Sequence, residues 1–180
     1  MTKLELAQKI HSVAYLEGEF LLRSGQTSHF YFDKYQFESR PQLLKSIAQY
    51  LKDLIPQDTD FLAGLEMGGI PIATALSLET GLPLLMVRKE AKSYGTAKLA
   101  EGPDFKDKKL CLIEDVITTG GQVGLSTTEL LKAGAKISDV LCVIYRGTKQ
   151  GEEEPLKAHN LKLQYLFQKS DFDSFVQKNK

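Results

Sequence analysis

The sequence predicts an α/β fold, a central and mainly parallel sheet flanked by helices, and three observations carry that expectation. Short apolar runs at 61–65, 84–87, 110–113 and 140–145 read as strands buried on both faces, because none of them alternates with polar residues. Longer amphipathic stretches separate these runs, which is the spacing of βαβ units. Pro56, Gly81 and Pro83 stand at the joints.

Taken in order, Leu4, Ile10, Val13, Ala14 and Leu16 form an imperfect helical stripe, and the short segments 20–22 and 30–33 after Gly18 predict a small hairpin. After Pro41 a stronger helix follows, with Leu43, Leu44, Ile47, Ala48, Leu51, Leu54 and Ile55 recurring on one face until Pro56 ends it. Strand 61–65, a helix over about 70–79 and strand 84–87 make the first βαβ unit; strand 110–113, a helix over about 122–133 and strand 140–145 make the second. Segment 161–167 predicts an edge strand and 172–176 a short terminal helix. Between the two units lie roughly twenty charged, glycine-containing residues, longer than ordinary loops in compact domains.

A chain of 180 residues suits one domain, 1–180, with a core large enough to fold alone. Apolar residues at 42% and charged residues at 26% argue against extended disorder and fibrous architecture. Lysine plus arginine equals aspartate plus glutamate at 23 each, so nothing draws the whole molecule to nucleic acid or to an anionic membrane, and any anion site has to be local. The opening stretch mixes charge with apolar residues, and no run reaches transmembrane length; the expectation is a cytoplasmic protein without a membrane partner. Cys111 and Cys142 sit in apolar runs without a CxxC pairing and read as buried core thiols in a reducing compartment. His11, His29 and His159 show no zinc-ligand spacing and no sign of histidine catalysis.

The chemistry is densest at 110–121, LCLIEDVITTGG. An apolar run stops at Glu114 and Asp115, and ligands bind beyond the carboxyl ends of strands in open α/β sheets. Adjacent carboxylates repel, so the pair is suited to facing a cation or sugar hydroxyls. Thr118, Thr119, Gly120, Gly121 and Gln122 then form a turn whose backbone N–H groups and following helix dipole suit a phosphate. A plain strand end with a capping residue is the alternative for the acids alone. The charged segment RKEAKSYGTAKLAEG at 88–102 carries Arg88, Lys89, Lys92 and Lys98 and reads either as a solvated loop or as a basic lid over a charged leaving group.

The 110–121 run resembles the ribose-phosphate fingerprint of the type I phosphoribosyltransferases, and RKEAK followed by an aromatic residue and glycine resembles the lid of the orotate phosphoribosyltransferases within that family. RSGQTSHFYFDK at 23–34 is similar to their pyrimidine-covering hood, and GLEMGGIP at 64–71 to their pyrophosphate-side loop. The resemblance implies a type I phosphoribosyltransferase fold with a small hood, mainly 18–38, and a long lid loop, 88–104. It implies transfer of phosphoribosyl from phosphoribosyl pyrophosphate to orotate, yielding orotidine 5'-monophosphate and pyrophosphate. Carried over by position, Arg88, Lys89 and Lys92 meet pyrophosphate with help from Arg23, Tyr94 makes a further lid contact, and Lys92 acts chiefly in the transition state. Glu114 and Asp115 hold the ribose hydroxyls, with Val116 and Ile117 leading into the phosphate turn Thr118 to Gln122. Tyr31, Phe32 and Arg146 receive orotate.

The resemblance also implies magnesium bound chiefly through the donor rather than in a dedicated protein site, and a homodimer that shares its lids. Three departures stand out: Met67 and Gly68 where several members carry Tyr-Lys, Tyr94 in place of a histidine, and His29 in place of a proline. Because the fingerprint reports the donor rather than the acceptor, a phosphoribosyltransferase for another base and a catalytically silent ligand sensor are the alternatives. Dinucleotide-dependent oxidoreduction is weaker, since neither its glycine fingerprint nor a Walker A sequence occurs.

Overall fold

A computed structural model describes residues 1–21, 25, 27–90, 99–147 and 153–176. Helix α1 (Lys3–Ala14) starts on a capping box in which the Glu5 N–H donates to Thr2 Oγ1 at 3.2 Å and the Thr2 N–H donates to Glu5 Oε2 at 2.7 Å. Strands β1 (Tyr15–Leu21) and β2 (Thr27–Phe32) form a separate antiparallel pair, followed by the one-turn helix α2 (Tyr35–Glu38). Helix α3 (Pro41–Leu51) carries the strong apolar stripe. Then come β3 (Phe61–Leu65), α4 (Gly69–Thr80), β4 (Leu84–Val87), β5 (Ala100–Glu101), β6 (Lys109–Ile117), α5 (Gly121–Lys132), β7 (Lys136–Tyr145), α6 (Glu154–Lys157), β8 (Lys162–Gln168) and α7 (Ser170–Val176). Among the described residues no helix is long and apolar enough to cross a membrane.

The main sheet runs in the order β5-β4-β3-β6-β7-β8, parallel throughout except for the short antiparallel edge β5. One face packs on α1, α3, α4 and α7 through Leu6, Ile47, Ile72 and Phe172 against Cys111, Ile113 and Leu141. The other face packs on α5 and α6 through Val123, Leu130 and Leu156 against Leu112, Val140 and Cys142. Burial on both faces is why the strands lack alternation.

The expected α/β architecture is the observed one, with differences at the ends of elements. Strands β3 and β4 match the apolar runs, whereas β6 and β7 outgrow them. Expected over 110–113, β6 continues through both acids to Ile117, because its ladder to β7 carries on through Glu114↔Cys142, Val116↔Ile144 and Ile117↔Tyr145. Main-chain pairing does not require apolar side chains. Likewise β7 begins at Lys136, opposite Lys109. The segment after Arg88 contains β5, and α2 and α6 are single turns too short to show a helical period.

Close contact between β3 and α4 needs Gly64. A Cβ there would fall 2.9 Å from both Ala73 Cβ and Gly69 O and 3.0 Å from Ile70 Cα. Gly64→Ala is therefore expected to cost about 1–3 kcal/mol through overpacking, read as a lowered urea midpoint. An unchanged midpoint would mean that α4 moves off the strand freely.

Candidate active site

Strand β6 ends at Ile117, and the chain turns through Thr118, Thr119 and Gly120 into α5. Gly120 sits at φ +70°, a left-handed conformation that side chains resist, and a Cβ there would also press on Leu156 at 3.0 Å. It gives α5 no side-chain cap, so the first-turn N–H groups of the helix are left for something else to accept. Glu114, Val116, Ile117, Thr118, Thr119, Gly120, Gly121 and Gln122 line one cavity of about 200 Å³. A carboxylate for hydroxyls and an amide-rich turn for an anion thus share one cleft.

The two acids have different surroundings. Glu114 lines the cleft and its carboxylate accepts the Asp115 N–H at 3.2 Å; burial, reinforced by the Asp115 charge, pushes its pKa up to about 8. Asp115 is fully buried behind it, where its Oδ2 pairs with Lys34 Nζ at 2.6 Å and its Oδ1 accepts the Val116 N–H. Burial alone would lower the Lys34 ammonium, but the Asp115 carboxylate outweighs that and holds it above its ordinary value. Glu38 faces the same carboxylate. It is 4% exposed, neither of its oxygens has a donor among the described residues, and burial followed by Asp115 pushes its pKa up to about 9. Protonated, Glu38 becomes the donor that Asp115 can accept from.

This cluster explains the glycines of the 66–69 loop. A Cβ at Gly68 would collide with Asp115 Oδ2 and fall 2.9 Å from Glu38 Oε1, and one at Gly69 would collide with Ile113 O. A side chain at 68 has no room, and the cation beside Asp115 comes from Lys34 instead. The Glu66 carboxylate in this loop accepts the Lys89 N–H at 3.1 Å. Arg88 follows β4, with its Nε 3.4 Å from Glu101 Oε1 and its N–H donating to Leu99 O at 2.8 Å.

Phe32 and Arg146 line a second cavity, of about 110 Å³, at the end of β7. The Arg146 N–H donates to Ile117 O at 2.7 Å, one residue short of Thr118, so the two cavities lie at neighbouring strand ends. Tyr31 points to the other face of the hairpin, its ring 5.5 Å from Phe20. Arg23, Lys92 and Tyr94 lie outside the described residues. Sequence reasoning passed over Lys34 and Glu38; their only signals are a lysine closing the 23–34 motif and an acid directly after the buried Phe37.

Residues 35–175 match the Phosphoribosyl transferase domain family. The chain is 50% identical over 169 residues to a protein of a Nocardioides species named orotate phosphoribosyltransferase, covering 94% of this chain and 93% of the relative. A protein of the same name from Methanocella arvoryzae is 41% identical over 86% of this chain and 87% of its own. Among solved structures, a phosphoribosyltransferase from Corynebacterium diphtheriae superposes with a TM-score of 0.81 at 28% identity, covering 96% of this chain and 99% of the other.

The buried acids make stability depend on pH. Folded Glu38 keeps its proton to about 9 while the unfolded chain releases it near its ordinary value of 4.5, so the folded state binds more protons in that window and stability falls as pH rises through it. Glu114 acts with the same sign up to about 8. Glu38→Gln, neutral at every pH, is expected to flatten the decline in urea unfolding free energy between pH 5 and pH 9. Equal slopes in the two proteins would contradict the buried proton.

Proposed function

The chain belongs to the phosphoribosyltransferase family, and from that premise we propose that it transfers phosphoribosyl from phosphoribosyl pyrophosphate to orotate, yielding orotidine 5'-monophosphate and pyrophosphate for pyrimidine synthesis. The observation that carries this reading is the single cleft lined by Glu114 and by the turn from Thr118 to Gln122. The turn and the start of α5 take the 5-phosphate. Glu114 holds ribose hydroxyls from a floor of Val116 and Ile117, and Asp115 behind it brings the Lys34 ammonium to the same point. Arg88, Lys89 and Lys92, with Arg23, take the pyrophosphate, and Tyr94 makes a further lid contact. Phe32 and Arg146 take the base, while Tyr31 lies on the opposite face of the hairpin.

Departure of pyrophosphate leaves positive charge on the anomeric carbon, so the protein's task is to stabilise the leaving anion and keep water from the sugar. No covalent nucleophile is needed. Burial pushes both cysteine thiols up, which suits inert core residues in a reducing cytosol.

Among the described residues no three histidine, cysteine or acidic side chains converge as a metal site, and the Asp115 carboxylate is already engaged by Lys34. Glu114, the acid that lines the cleft, suits magnesium that takes most of its ligands from the donor's oxygens and water. When bound, the ion neutralises pyrophosphate charge. The chain works as a homodimer whose lids reach the partner's site. Support comes from the apolar groove between α3 and α4, lined by Leu44, Ile70, Pro71, Ala75 and Leu78, where Leu78 is 85% exposed.

The test is a turnover assay with donor, magnesium and a panel of orotate, uracil and purines. Pyrophosphate is expected with orotate. Release with a purine instead would identify a different transferase, and donor binding without release for any base would identify a sensor. Lys92→Ala is expected to lower kcat about 10²-fold or more at saturating donor; near-normal turnover would remove Lys92 from the transition state.

A further inference from the structure

Phe32 and Arg146 share their half-open cavity with His11, Tyr15, Lys169 and Phe172. Its walls are flat. The His11 ring stacks on Tyr15 at 4.7 Å and lies 6.4 Å from Phe172 at an interplanar angle of 18°, while Phe172 meets Phe32 edge-on at 6.1 Å. Rings so arranged present an aromatic wall on which a planar guest can lie.

The polar groups around the cavity are few and specific. His11 is 8% exposed, and its Nε2 is buried without a hydrogen-bond partner among the described residues. Burial holds the imidazole below its usual pKa, so it is neutral at neutral pH. A buried nitrogen left unpaired in an aromatic cavity costs free energy that a ligand atom removes. Two exposed cationic residues, Arg146 and Lys169, are part of the lining. The Lys169 N–H donates to Tyr145 O at 2.9 Å, directly before Arg146, and the Arg146 N–H donates to Ile117 O, directly before the phosphate turn. The cavity therefore combines an aromatic wall, one buried nitrogen without a partner among the described residues and two cationic residues in its lining.

We propose that His11 and Lys169 complete the base subsite. Lys169 joins Arg146 on the carboxylate of a planar heterocyclic acid, and His11 Nε2 hydrogen-bonds the polar edge of its ring. The proposal rests on the orotate reaction above and adds a specificity residue to it. Orotate and uracil share a ring and differ in that carboxylate, so Lys169 discriminates between them.

The experiment compares the full-length wild type with Lys169→Met and His11→Phe, measuring KM for orotate, KM for the donor and the orotate-to-uracil ratio of kcat/KM. Lys169→Met is expected to raise the orotate KM about tenfold, leave the donor KM unchanged and shrink the orotate-to-uracil ratio by a similar factor. His11→Phe keeps a stacking ring and removes the nitrogen, and is expected to raise the orotate KM about fivefold. Should that buried substitution prevent folding, the exposed Lys169 decides alone. An orotate-active wild type whose Lys169→Met variant keeps both its orotate KM and its orotate-to-uracil ratio overturns this inference only. A wild type inactive on orotate overturns the reaction and the inference together.

Discussion

The constraint on which the cleft depends is the pairing of β6 on both edges, to β3 and to β7, right up to the point where its acids appear. A strand held on two sides cannot rotate its side chains away from where the ladder sends them. Asp115 is thereby driven into the layer between the sheet and the first helices, where an isolated carboxylate is not tolerated. Lys34, two residues past β2, supplies the charge it needs at 2.6 Å. Glu38, one turn further along, shares the site only by keeping its proton. The ion pair thus ties the segment after the hairpin to the centre of the sheet, and removing either charge leaves the other uncompensated.

The same crowding shapes the loop before α4. With Asp115 and Glu38 filling the volume beside residue 68 and the Ile113 carbonyl beside residue 69, only backbone fits, and the loop approaches the acids as closely as two adjacent glycines allow. The cation beside these acids is Lys34, 2.6 Å from Asp115. Arg88 and Lys89 after β4, Arg146 after β7 and Lys169 after β8 place basic residues beyond the carboxyl ends of three strands.

The phosphate turn was legible because everything it needs is consecutive. An apolar run, a left-handed glycine and a helix start are neighbours in the chain, and local order alone implies their geometry. Strands β3 and β4 were legible for a similar reason, being apolar runs closed by proline or glycine. The extensions of β6 and β7 were not, since Lys136 and Glu114 are in strands only because a neighbouring backbone pairs with them. Helices α2 and α6, of four residues each, and β5, of two, leave no period to read.

By itself the sequence determined the α/β class, the order of the strands along the chain, and the acid-and-glycine run that ends at α5, because each depends on residues within a few positions of one another. Tertiary structure alone decided that Asp115 lies behind Glu114 on a lysine, that Glu38 carries a proton, and that His11 from the first helix and Lys169 from the last strand's end line one cavity. Those properties arise from desolvation and from contacts between distant segments, and neither exists until the helices close over the sheet.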